Sequence, residues 1–129
     1  MMRNAIAIAV LAGADIWSGV YTAPQAKRGE AIYADRCASC HAPDLSGIDQ
    51  APALTGGDFT AEWNDQSVND LFERVRISMP ADKPGSLERQ QVADVLAFLL
   101  QKNDLPAGQT ELPTTAEALK EIRFLARKP

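Results

Sequence analysis

The sequence predicts an all-α protein, a single domain of about four to five helices joined by long ordered loops. Apolar residues recur at helical spacing, most clearly at Val92, Val95, Leu96 and Leu99, and this spacing marks the buried stripe of a helix. Residues that cap helices precede each predicted helix, and no segment has the alternating pattern of a strand. A length of 129 residues suits one domain.

The first 14 residues differ from the rest of the chain and predict a secretory signal peptide. Arg3 precedes an apolar run over residues 5–11, and the Ala-Gly-Ala sequence at 12–14 fits a small-x-small cleavage pattern. We therefore expect cleavage after Ala14 and export to the periplasm. The apolar run is too short to span a bilayer, so stable membrane insertion is not expected.

The chain has an excess of acidic residues, and its net negative charge limits the classes of partner that it can bind. Without Arg3, 12 of the 13 basic residues remain against 17 acidic ones, a formal net charge of −5. Such a surface repels the phosphates of nucleic acids and of anionic membranes. A partner with a basic or nearly neutral docking face is favoured.

Four segments have the residues expected at helix ends, and loops separate them. Residues 42–66 are rich in Gly, Pro, Asp and Thr and are predicted to be an ordered loop, of a length that indicates a functional role. Pro80 is expected to stop the second helix, and 105–113 is predicted to be an extended strap. Leu119, Ile122 and Leu125 are predicted to face inward from the last helix. The predicted helices are 22–36 with a Thr22–Gln25 capping box, 67–79 capped by Ser67, 87–102 capped by Ser86, and a short one capped at Thr114 or Thr115.

The sequence Cys-Ala-Ser-Cys-His at 37–41 contains the residues that can bind a cofactor. Two cysteines three residues apart at a helix end point the same way, so both sulfurs can form thioethers with one edge of a haem. His41 can then bind the iron from the proximal side. The motif predicts one covalently attached haem c with its iron.

Three other uses of the two cysteines fit the sequence less well. A disulfide between positions three apart closes almost no loop and would stabilise little. A redox dithiol of the thioredoxin type would follow a strand, and no strand is predicted before residue 37. A structural zinc site needs four protein ligands, and the chain has no further cysteine or histidine.

Met79 is the candidate for the second axial ligand of the iron. His41 is the only histidine, and Met79 is the only methionine beyond Met1 and Met2. A lone methionine is usually a packing residue, but Met79 lies at the end of a predicted helix and before Pro80, where a loop can close over a haem. We therefore predict His41 and Met79 as the axial ligands.

Residues 20 to 104 resemble the class I cytochromes c, through the 37–41 motif, the Met79-Pro80 loop and the helix pair that contains Gly29 and Tyr33. Within that family the chain is most similar to small periplasmic cytochromes associated with quinoprotein dehydrogenases. The resemblance implies a crossing of the first and last helices, with Gly29 and Tyr33 against Val95 and Phe98. It also implies that the Pro52 carbonyl accepts a hydrogen bond from His41, and that Trp63 binds a haem propionate.

These features together predict an electron-transfer protein rather than an enzyme. The expected domains are a signal peptide at 1–14, a cytochrome c domain at 15–104, and a C-terminal strap and short helix at 105–129 that pack on the same domain. The expected partners are a dehydrogenase as donor and an oxidase or another cytochrome as acceptor. Two alternatives remain open, a tightly bound subunit of a multi-subunit dehydrogenase and a catalytic or gas-binding haem protein.

Overall fold

The computed structural model describes residues 13–129, so the predicted signal peptide lies outside the described residues except for Gly13 and Ala14. The described chain is mostly helical, as predicted. Two two-residue strands pair in parallel, β1 with β2, although the sequence predicted no strand. In chain order the elements are β1 (Ala14–Asp15), α1 (Ala23–Arg36), α2 (Ala38–His41), α3 (Gly57–Trp63), α4 (Val68–Ser78), α5 (Arg89–Lys102), α6 (Ala116–Leu119) and β2 (Ile122–Arg123).

The crossing of α1 over α5 forms the centre of the fold. Gly29 lies directly on the backbone of Asp94, and the Phe98 side chain is beside it. One turn further along α1, the Tyr33 ring packs on the Phe98 ring with 5.4 Å between ring centroids. The helix crossing implied by the family resemblance is therefore present, and it depends on a residue without a side chain at position 29.

Helix ends follow the predicted capping residues with two corrections. The Thr22 hydroxyl accepts from Gln25 N and the Ser67 hydroxyl from Asp70 N, as expected of N-caps. The Gln25 side chain does not complete a capping box, because it is buried and hydrogen-bonds the backbone of Leu112 instead. Helix α5 begins at Arg89 rather than 87, since Glu88 is its N-cap and donates its backbone N–H to the Gln91 side chain.

Helix α3 corrects the prediction of an uninterrupted loop over 42–66. Gly56 precedes it, Asp58 lies in its first turn, and the buried Phe59 and Trp63 lie one turn apart on one face. This pair at i and i+4 is the apolar signal of a single helical turn. The glycines and prolines around this turn are typical of a loop, so the sequence did not predict the helix.

The C-terminal residues correct two further predictions. Helix α6 has only four residues, capped by the Thr115 hydroxyl, and Ile122 belongs to β2 instead. Leu119 and Ile122 are buried as predicted, but Phe124 is buried where Leu125 was expected to be. Across residues 13–129, no helix combines the length and the apolar character needed to cross a membrane.

Candidate haem-binding site

A cavity of about 700 Å³ opens between α2, α3, α4 and α5. Its volume is in the range of about 300–1,000 Å³ that small-molecule and cofactor sites occupy. Cys37, Cys40, His41 and Met79 all line it, as do Pro52 and Trp63. The structure therefore brings every residue that the sequence nominated for the site to one cavity.

Helix α2 presents the two cysteines and the histidine together. The backbone N–H groups of Cys40 and His41 both donate to the Cys37 carbonyl, at 3.1 and 3.0 Å, which closes a single tight turn. Cys37 is half-buried and Cys40 is exposed, and neither is in a disulfide. Burial raises the pKa of the Cys37 thiol to about 11. In the chain alone this thiol is protonated at neutral pH, so it is a poor spontaneous nucleophile.

A hydrogen bond to a backbone carbonyl orients the His41 ring. His41 is buried, and its Nδ1 atom lies 2.8 Å from the Pro52 carbonyl oxygen. Because a carbonyl can only accept, this contact requires the proton on Nδ1, and in a neutral ring the lone pair is then on Nε2. Neutral imidazole with its second nitrogen held in this way is the form that binds metals.

Met79 lies at the C-terminal end of α4, where the backbone turns from helical to extended geometry. Its N–H donates to the Val75 carbonyl at 3.0 Å, and the cis peptide bond to Pro80 follows. The side chain is half-buried and contributes to the cavity wall rather than to the apolar core. A thioether placed there is available to a bound group.

The remaining walls come from residues that the sequence did not nominate. Apolar side chains from α3, α4, α5 and the loop before α3 line the cavity, as do four carboxylates and two guanidinium groups. Of these three helices only α3 was not predicted, and the pairing of Phe59 with Trp63 was the signal that could have found it. The apolar residues are Leu54, Phe59, Leu71, Val75, Val95 and Leu99, and the charged ones are Asp35, Arg36, Asp49, Glu62, Arg74 and Asp82.

These features fit a haem. The two thiols line the cavity, His41 follows them in the chain with its Nδ1 held by the Pro52 carbonyl, and the Met79 thioether completes the set of donors. Neutral nitrogen and sulfur ligands of this kind are those that haem iron takes in cytochromes. The apolar walls suit the porphyrin faces, and Arg36 and Arg74 offer positive charge for two propionates.

Comparisons with known proteins decide the family. The family model described as cytochrome c oxidase, cbb3-type, subunit III matches residues 24–99, more than half of the chain. The chain belongs to this cytochrome c family. It is a class I c-type cytochrome, a haem-binding electron carrier with an all-α fold.

A solved structure shares this fold. The crystal structure of the sulfane dehydrogenase SoxCD from Paracoccus pantotrophus aligns with a TM-score of 0.55 and 22% sequence identity. The alignment covers 96% of the cytochrome and 67% of the SoxCD chain. No curated protein sequence matches the cytochrome. The structural likeness thus covers more of the chain than the family model, which matches residues 24–99.

Proposed function

We propose that this cytochrome is a periplasmic one-electron carrier with a single covalent haem c, ligated axially by His41 and Met79. One observation carries the proposal: Cys37, Cys40, His41 and Met79 line the same cavity. These are the two thiols, the imidazole and the thioether that a His/Met-ligated haem c requires. When bound, the haem supplies one-electron exchange between ferrous and ferric iron.

Each residue has a distinct task in this proposal. The Cys37 and Cys40 thiols hold the group covalently, and the Pro52 carbonyl keeps the His41 ring in one orientation. The Met79 thioether would be the second protein ligand of the iron, and it would keep small molecules from binding there. The apolar part of the lining would limit the access of water to the metal, and limited solvent access together with a thioether ligand favours the reduced metal and a higher potential.

A dehydrogenase is the proposed electron donor, and an oxidase or another cytochrome the proposed acceptor. The fold is shared with a chain of SoxCD, itself a dehydrogenase, and this supports a donor of that class. Contact would be made where Cys40 is exposed, through a small and short-lived interface of the kind that redox proteins form.

Covalent attachment is the first prediction to test. After expression with a c-type maturation system, acid–acetone extraction should leave the haem on the protein, because thioether bonds survive removal of the metal ligands. The measurement is the absorbance of the protein fraction and of the organic phase. The matched variants Cys37→Ala and Cys40→Ala should each keep one bond, whereas the double variant should lose its colour to the organic phase. Colourless wild-type protein would refute the proposed cofactor attachment.

The second prediction concerns docking at the mouth of the cavity. Ile48, at 45% exposure, lines the mouth, and Ile77, at 59%, lies two residues before Met79. The cavity lining has charges of both signs, four carboxylates and two guanidinium groups, so we expect no strong field of a single sign to steer a partner there. Electrostatic steering changes association rates by about 10- to 10³-fold, and we expect much less than that here.

Electron self-exchange between reduced and oxidised copies measures this docking without any other partner. We expect its rate, from NMR line broadening, to change less than about tenfold between low and high salt. Ile77→Ser should lower the rate at an unchanged reduction potential, while the exposed Ala107→Ser, on another surface, should not. A rise well above tenfold with salt would instead show that net negative charge governs the encounter.

A further inference from the structure

The residues that follow α5 form a C-terminal tail, 105–129, that lies beyond the match to the family model. Five of its six large apolar residues are buried, and several hydrogen bonds connect it to the cytochrome domain. The Tyr21 hydroxyl donates to the Leu105 carbonyl at 2.6 Å, and the Gln25 side chain pairs with the Leu112 backbone. The tail is therefore part of the packed interior. The buried residues are Leu105, Leu112, Leu119, Ile122 and Phe124.

The end of the tail binds the residues that directly follow α3. The Asp65 N–H donates to the Phe124 carbonyl, and the Phe124 N–H donates to the Gln66 carbonyl, both at 2.8 Å. The Ala126 N–H donates to the Asn64 side chain, also at 2.8 Å. These bonds begin one residue after Trp63, so the C-terminal end of α3 is fixed to the tail.

The N-terminal residues hold the tail from its other edge. Strand β1 pairs with β2 in parallel register, and the Ile16 N–H donates to the Arg123 carbonyl at 3.0 Å. The Trp17 indole N–H donates to the Leu125 carbonyl at 2.9 Å. The tail is thus bonded on two sides around Phe124, which leaves that side chain little freedom to move.

Phe124 stands directly behind the cavity wall. It is 1% exposed, and its ring meets the Phe59 ring edge-on, with 6.1 Å between centroids and 77° between planes. Phe59 and Trp63 lie one turn apart on α3, and both line the cavity. Within residues 13–129 the Trp63 indole N–H forms no hydrogen bond, although Trp63 is largely buried. This donor is available to a group in the cavity.

We propose that Phe124 is a positioning residue, which holds α3 so that Trp63 keeps its place in the cavity wall and so sets the reduction potential. The inference rests on the proposed function of the site. A hydrogen-bond donor and an apolar wall near a haem tune its potential. A shift of α3 would move both the Trp63 indole N–H and the apolar wall formed by Phe59 and Trp63. The tail then acts on the electron carrier's potential without lining the cavity itself.

The test compares Phe124→Ala and Phe124→Leu with Leu112→Ala as the matched control. Leu112 is 2% exposed and belongs to the same tail, but it packs beside α1 and does not line the cavity. Truncation of either buried side chain should lower thermal stability by similar amounts. The reduced holoprotein is then examined for its reduction potential and for the NMR resonance of the Trp63 indole N–H, assigned with Trp17→Phe.

We expect both Phe124 variants to shift the Trp63 resonance and the potential, Leu less than Ala and in the same direction. Leu112→Ala should leave both within the error of the wild type. If Phe124→Ala fails to fold, Phe124→Leu still tests the inference. Shifts in the Phe124 variants no larger than those in the control would overturn it.

Failure of this inference is distinguishable from failure of the proposed function. If no haem attaches, the extraction experiment fails and no potential exists to measure, yet the Trp63 resonance can still be compared in the same variants. If haem attaches but the Phe124 variants change neither the Trp63 resonance nor the reduction potential, only the proposed role of the tail is wrong.

Discussion

Met79→Ala should abolish the weak red absorption band that marks a bond between iron and methionine sulfur, and it should lower the reduction potential. Thioether sulfur stabilises ferrous iron, so its loss favours the ferric state. Axial ligands set haem potentials over a range of about 0.8 V, and loss of one ligand should use a substantial part of it. The variant should also bind cyanide and carbon monoxide. Visible spectroscopy and a potentiometric titration measure these changes.

Leu71→Ala is the matched control for this prediction. Leu71 is buried and lines the same cavity, but it has no atom that can bind iron. Its truncation should cost about 2–5 kcal/mol of stability and keep the red band. An unchanged spectrum in Met79→Ala would mean that another group, or none, binds at that position.

The fold was predictable wherever residues adjacent in sequence determine the structure. The Thr22 and Ser67 hydroxyls cap helices through contacts three residues away, and such local signals are legible in a sequence. Helix α5 was predictable from the spacing of its apolar residues. Only the start of α5 was predicted two residues too early. The N-cap is Glu88 rather than Ser86, because the Glu88 backbone N–H donates to the Gln91 side chain.

Long-range contacts account for what the sequence did not reveal. Gln25 has the right spacing for a capping box, but its side chain pairs with Leu112, 87 residues away. Strand β1 has two residues and exists only because β2 lies beside it. The choice of Phe124 over Leu125 as the buried residue follows from the same pairing, which fixes which side of the tail faces inward. No local pattern encodes these partners.

The candidate site was predictable because its chemistry is concentrated in a short motif and in residues of rare type. One histidine, two cysteines and one methionine in the described chain leave few ways to assemble the ligands of a haem iron. The shape of the cavity depends on the packing of four helices. The sequence therefore did not predict that Phe59 and Arg74 line it.

The contact between α1 and α5 leads to the other prediction with a large effect. An added Cβ at Gly29 would fall on the Asp94 carbonyl oxygen, far inside van der Waals contact, and would lie 3.0 Å from Phe98 Cβ. A backbone carbonyl in the middle of a helix cannot rotate away, so the two helices must separate. The strain adds to the loss of the Tyr33 contact with Phe98 nearby. Alanine's better helix propensity, worth about 1 kcal/mol, offsets only part of this.

Gly29→Ala should therefore destabilise the cytochrome by about 2 kcal/mol or more, which corresponds to a fall of roughly 5–15 °C in the melting temperature. Thermal unfolding followed by circular dichroism measures it. Gly57→Ala is the control, because an added Cβ there meets nothing within 4 Å and should change stability by less than about 1 kcal/mol. The site should respond as well, since α1 leads into Cys37 while Val95 and Leu99 of α5 line the cavity. A Gly29→Ala protein as stable as wild type would show that α1 and α5 do not meet at this glycine.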